Sequence, residues 1–235
     1  MPFLSKPLDW DTAFFGFAVA ELSGYGDGLS FVQEIEKAKG SGIKLIYWRW
    51  SGPVMPEFAL PPDLKIFNCG MKWRLEKKPQ LQTDKIMPVV HNLTGVVNKE
   101  MKQLAISAGE FSRFRTDPNM PKGSFYKMYE QWIQNSVSGE MADKVFVAEA
   151  ENTIMGLITV KKTDRMATIG LFSVDEKYRN KGLGLALLIC AEHYAAESGC
   201  EKIIVATQEQ SPAARLYQKN EFMITVRENI MHIWL

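Results

Sequence analysis

The stretch Leu171-Phe172-Ser173-Val174-Asp175-Glu176-Lys177-Tyr178-Arg179-Asn180-Lys181-Gly182-Leu183-Gly184-Leu185-Ala186-Leu187-Leu188 constrains this chain more than any other. A β-rich run ends, a basic loop with two glycines turns sharply, and an apolar helix begins. The first amides of a helix have no intrahelical partner, and the helix dipole puts partial positive charge there. Glycines let backbone approach a bulky anion, and Arg179 and Lys181 add charge. Together these parts make a cradle for a pyrophosphate. Glycine-x-glycine alone is a weak signal. Here the order Arg-x-x-Gly-x-Gly sits at a strand-to-helix junction, and a second strand and a Ser-Pro-capped helix follow it. The loop is not a P-loop, because no Gly-Lys-Ser/Thr ending is present. It is not the dinucleotide fingerprint either, since Leu187 stands where the third glycine belongs.

The elements around the loop follow from period and punctuation. Ser30 to Lys39 places Phe31, Ile35 and Ala38 on one helical face, and Gly40 and Gly42 end it. Ile43 to Trp50 and Met71 to Leu75 read as strands. Asn98 to Gly109 and Ser124 to Ser136 read as helices; Phe125, Met128, Tyr129, Trp132 and Ile133 form an apolar stripe expected to pack as core. Strands over Val145–Glu149, Ile154–Val160 and Ala167–Val174 precede a helix from Leu183 to Ser198, ended by Gly199. Lys202–Thr207 is a strand, Ser211-Pro212 opens another helix, and strand pattern returns from Phe222 to Leu235. The polar run Lys77–Lys85 is the expected linker. It divides the chain into a small α/β domain, residues 1–80, and a larger one, residues 86–235.

Composition narrows the function. With 235 residues and net charge +1, the chain lacks the basic field of a general nucleic-acid binder, so any anion site is local. Cys69, Cys190 and Cys200 are scattered and odd in number, which predicts reduced, structural thiols. His91, His193 and His232 have no metal-ligand spacing, and no metal is expected. Neither a signal peptide nor a membrane span is read from the sequence, so the expected location is the cytoplasm. The apolar segment Asn229–Leu235 reads as a sheet edge that invites pairing or cover, and a homodimer is one way to supply it.

The order of strand, Arg-x-x-Gly-x-Gly loop, helix, strand and Tyr-bearing helix resembles the Gcn5-related N-acetyltransferase (GNAT) superfamily, over about residues 86–235. The resemblance implies a mixed, mostly antiparallel sheet flanked by helices, and acetyl-CoA as co-substrate. By motif position, Phe172, Ser173 and Val174 would hold the pantetheine arm and thioester through backbone groups. Arg179, Asn180, Lys181, Gly182, Leu183 and Gly184 would form the cradle, and Gln210 would reach the arm. Tyr217 would donate a proton to the leaving thiolate, a suitable role for a phenol of ordinary pKa about 10. No residue is singled out as general base; Glu149 and Glu209 lie near strand ends, and a water chain would serve equally. A narrower similarity links Leu8–Gly16, Ala108–Pro118 and Val205–Gln208 to the TDP-fucosamine acetyltransferase group, which acetylates the amine of a nucleotide-linked 4-amino-4,6-dideoxyhexose for surface polysaccharides. This group carries Asn where this chain has Gln210. The similarity implies acceptor contacts from Phe14 and Phe15, in a loop of aromatics, and from Arg113 and Arg115, whose guanidinium forks suit a diphosphate. An acetyltransferase for another amine or a peptide N-terminus, and a non-catalytic acyl-CoA-binding module, are the competing readings.

Overall fold

The computed structural model describes residues 2–52, 60–62, 64–81, 90–92 and 95–235. Part of the expected linker, residues 82–85, lies outside them. In chain order the elements are β1 (Leu4–Pro7), α1 (Asp9–Phe15), β2 (Val19–Ser23), α2 (Gly28–Gly40), β3 (Leu45–Ser51), β4 (Lys65–Lys77), β5 (Val90–Asn92), α3 (Lys99–Ala108), α4 (Arg113–Thr116), α5 (Ser124–Val137), β6 (Lys144–Ala150), β7 (Thr153–Thr163), β8 (Met166–Val174), α6 (Leu183–Glu197), β9 (Lys202–Gln208), α7 (Pro212–Lys219) and β10 (Met223–Trp234). They form two compact units. One gathers Met1–Lys72, Thr116–Pro121 and Val226–Leu235; the other gathers Trp73–Arg115 and Lys122–Thr225. The units are therefore not the two consecutive stretches that a single linker would separate.

In the first unit, β1 pairs antiparallel with β2, β2 parallel with β3, and β3 antiparallel with β10. A parallel pair needs a crossover, and α2 supplies it. Asp27 caps α2 by accepting from the Ser30 amide. Phe31, Ile35 and Ala38 then pack against Ala20, Leu22, Ile46, Trp48, Met231 and Ile233. The segment read from sequence as a free edge is thus occupied: Glu228 to Trp234 pairs with Ser51 to Leu45. Behind β10, Asp117 is 3% exposed. Its Oδ2 lies 2.7 Å from His232 Nδ1 and accepts from Trp234 Nε1 at 2.9 Å. Oδ1 accepts from the Asn119 backbone and side-chain amides.

The second unit carries a mixed, mostly antiparallel sheet. β5, β6, β7 and β8 pair antiparallel in sequence, and β8 pairs parallel with β9. Asn98 caps α3, and Glu151 and Asn152 take positive φ in the tight β6–β7 turn. α6 is the crossover from β8 to β9, and its apolar surface is buried from Leu183 to Ala195. Ile158, Val160, Ala167, Ile169, Ile203 and Val205 face it. Thr159 and Gly170 face the other way: a Cβ on Gly170 would stand 2.9 Å from Thr159 Oγ1 and 3.5 Å from Trp132 Nε1 of α5. Helices therefore cover both sides of this sheet. In α5, Phe125, Met128, Tyr129 and Ile133 are buried as the stripe predicts. Lys77, expected in the linker, instead ends β4, and its Nζ lies 2.8 Å from the buried Glu192.

Asp117 makes the first unit acid-sensitive. Burial pushes its pKa up, but the hydrogen bonds from His232, Asn119 and Trp234 outweigh burial and hold the carboxyl below its ordinary value. Its stabilising contribution is therefore present above the unfolded carboxylate value of about 3.9 and is lost as pH falls through the lower, folded value. Asp117→Ala is expected to cost about 3–5 kcal/mol in urea unfolding at pH 7, and the deficit relative to wild type should shrink below pH 4.

Candidate active site

The site begins with a one-residue irregularity in β8. Ile158 faces Phe172 while Val160 faces Ile169, so Gly170 and Leu171 together oppose Thr159. This is a β-bulge, which bends a strand and strengthens its twist. The buried Thr159 hydroxyl stabilises it by accepting from the Leu171 amide at 2.8 Å. Two consequences follow. Pairing of β8 with β9 stops at Ile169 and Val205, immediately before the bulge, and the remaining residues of both strands diverge. Side-chain parity also flips, so that Phe172 and Val174 join Ala167 and Ile169 on the α6 side.

Beyond β8 the chain is held tightly. The Asp175 amide donates to the Met155 carbonyl at 2.8 Å, and Asp175 caps the short turn Glu176–Tyr178. Asn180 and Gly182 take positive φ of 61° and 82°, and the chain turns into α6. Gly182 offers no capping side chain, and the first intrahelical bond runs from the Ala186 amide to the Gly182 carbonyl at 3.0 Å. The amides of Leu183, Gly184 and Leu185 are therefore left without intrahelical acceptors, at the positive end of a 15-residue helix. Such an end binds phosphate oxygens.

Three elements converge beside this helix end. The Phe172 ring of β8 packs tilted against Tyr217 of α7, their centroids 5.8 Å apart, and Tyr217 also meets Phe222 at 5.4 Å. A Cβ on Gly184 would sit 3.4 Å from Leu216 and 3.5 Å from Phe172. Tyr217 is 1% exposed, and burial pushes its phenol well above the ordinary value, so it stays protonated near neutral pH and is a weaker acid than an exposed phenol.

The expected site residues fall as follows. Phe172, Ser173, Val174, Arg179, Asn180, Lys181, Gly182, Leu183, Gly184 and Tyr217 lie on the contiguous β8–α6–α7 segment, and Gln210 is exposed in the turn between β9 and α7. Arg179 braces the loop, its Nε donating to the Val174 carbonyl at 3.1 Å, and Lys181 Nζ stands 5.3 Å over Tyr178. In the same unit, Arg113 lies 4.3 Å over Phe114, and Arg115 Nη1 donates to the Tyr126 hydroxyl at 3.0 Å. Phe14 and Phe15 belong to the other unit. They sit on helix α1 rather than a loop, in a train of rings running from Trp10 through Phe17 to Trp234. Cys69, Cys190 and Cys200 are buried and joined in no disulfide among the described residues, and burial pushes the Cys190 and Cys200 thiols up. Among the described residues no group of three or more His, Cys, Asp or Glu comes together, and no helix is long and apolar enough to cross a membrane. Sequence reasoning missed the Thr159–Gly170–Leu171 bulge. An isolated glycine inside a strand pattern was its signal.

Two parallel strands that part beside an uncapped helix N-terminus leave room for an extended ligand with an anionic end. Residues 109–222 match the model of the acetyltransferase (GNAT) family, whose members use acetyl-CoA. No curated protein matches the sequence. Solved structures share the fold at low identity. A functionally unknown conserved protein from Staphylococcus epidermidis has a TM-score of 0.61 at 13% identity, over 92% of this chain and 83% of that one. A GCN5-related N-acetyltransferase from Sphaerobacter thermophilus gives 0.60 at 13% identity, over 98% and 76%. One from Kribbella flavida gives 0.54 at 14% identity, over 99% and 86%.

The space around Gly184 yields a graded test. A methyl group fits there at ordinary contact distance, so Gly184→Ala should keep acetyl-CoA affinity within a few-fold. Gly184→Leu must displace Phe172 or Leu216 and should weaken acetyl-CoA binding by about tenfold or more in calorimetry.

Proposed function

We propose that the protein transfers acetyl directly from acetyl-CoA to the amine of a nucleotide-activated amino sugar of the 4-amino-4,6-dideoxyhexose type, in the synthesis of surface polysaccharide. The observation that carries the transfer step is the convergence of the parted β8 strand, the α6 N-terminus and the buried Tyr217. In this reading the α6 amides and the loop hold the pyrophosphate, and unpaired backbone groups of Phe172–Val174 hold the pantetheine arm. The neutral amine attacks the thioester carbonyl, having lost its proton to water. The adduct's nitrogen gives its extra proton to water, the adduct collapses with breaking of the C–S bond, and the Tyr217 phenol protonates the departing CoA thiolate and regains a proton from solvent.

The sugar nucleotide is supported by residues rather than by the fold. The segments Leu8–Gly16, Ala108–Pro118 and Val205–Gln208 resemble the TDP-fucosamine acetyltransferase group. Arg113 lies over Phe114 and Arg115 over Phe125 and Tyr126, and planar guanidinium forks match the geometry of phosphate oxygens.

Release of CoA thiol with a TDP-linked 4-amino-4,6-dideoxyhexose, compared with amino acids and peptide N-termini, tests the substrate. Preference for the sugar supports the reading, and turnover of another amine alone replaces it. Tyr217→Phe should lower kcat by roughly 10²-fold with little change in KM for acetyl-CoA. Because burial raises the phenol, wild-type kcat should not fall through Tyr217 ionisation at the ordinary phenol value of about 10. Unchanged turnover in Tyr217→Phe would remove the residue from the mechanism.

A further inference from the structure

Gln208 ends β9, three residues beyond the last pair that joins β8 to β9. Its side-chain carbonyl Oε1 is buried and has no hydrogen-bond partner among the described residues. A buried acceptor left unpaired weakens the fold, so such an oxygen calls for a donor from elsewhere. Its direction follows from strand alternation. Ile203 and Val205 pack with α6, so Ala206 and Gln208 face the opposite side, where Trp132 of α5 lies over Gly170. Phe172, Gly184 and Tyr217, which the acyl donor would meet, lie on the α6 and α7 side. The opening between β8 and β9 thus has two faces, and Gln208 belongs to the face away from the cradle.

Resting on the acetyl-transfer reading above, we infer that the Gln208 carbonyl binds the acceptor, accepting one N–H of its primary amine and so aiming the nitrogen lone pair at the thioester. The chemistry suits an amide. A neutral amine has two N–H groups and one lone pair, and handing one N–H to a fixed oxygen orients the rest. An amide oxygen is too weak a base to hold the amine as ammonium. A carboxylate there would favour the ammonium form and suppress attack.

Gln208→Met keeps the side-chain length and removes the carbonyl. The expected result has three parts. Tm equals or exceeds that of wild type, because no buried acceptor is left unpaired. Calorimetric affinity for acetyl-CoA is unchanged. The amine kcat/KM falls by about tenfold or more. Gln208→Glu should move the pH dependence of the amine kcat/KM to higher pH, which a merely structural residue would not do. Two amines serve as separate arms, hydroxylamine and the TDP-linked 4-amino-4,6-dideoxyhexose. Loss confined to the sugar in wild type overturns the sugar reading alone, because the hydroxylamine arm still tests Gln208. A lowered Tm in Gln208→Met overturns the inference, since the oxygen would then be bonded within the fold. A matching loss of acetyl-CoA affinity overturns it in favour of the pantetheine arm. Undiminished amine turnover overturns it outright.

Discussion

One buried hydroxyl holds the second unit open. Thr159 Oγ1 accepts the Leu171 amide that the bulge takes out of the β7–β8 ladder. Without that bond a backbone N–H would be buried unpaired, and a regular ladder would be the cheaper arrangement. With it, β8 turns away from β9 after Ile169, Phe172 swings to the α6 side, and backbone groups that would have been sealed in a sheet are left for another molecule. Gly170 is part of the same device, because its missing Cβ is the space in which Thr159 and Trp132 meet the strand.

The rest of the site depends on that divergence. A helix N-terminus attracts anions wherever it occurs, but here it starts from a strand that has already left its neighbour. The backbone brings α6, α7 and β8 within ring-to-ring distance of one another, and Tyr217 is stabilised by packing against Phe172 and Phe222 rather than by charge. Desolvation raises its pKa further above the ordinary phenol value. No charged partner is needed to set the phenol's protonation state.

Much of this was legible in the residues. Asn98, Ser211-Pro212 and Gly199 mark helix ends that depend on neighbours one turn away, and those ends stand where sequence puts them. The Arg179–Gly184 loop was equally plain, since positive φ and an uncapped helix start are local demands. What escaped was set by distant partners. Lys77 looks like linker until Glu192, on a helix more than a hundred residues later, takes its ammonium. Asn229–Leu235 looks like an edge until β3 covers it. The α1 segment reads as a loop because its seven residues are too few to show a helical period. The orphan oxygen of Gln208 could not be foreseen, because a missing partner is a property of three dimensions.

The composition of the first unit has a consequence for the order in which the chain can fold during synthesis. Its sheet includes Val226–Leu235, which pairs with β3, and the carboxylate that pins this strand arrives with Thr116–Pro121. While residues 1–72 emerge, their apolar face has neither. Residues 1–72 are therefore made before the segments that complete their unit, and they wait, incompletely covered, while the intervening second unit is synthesised.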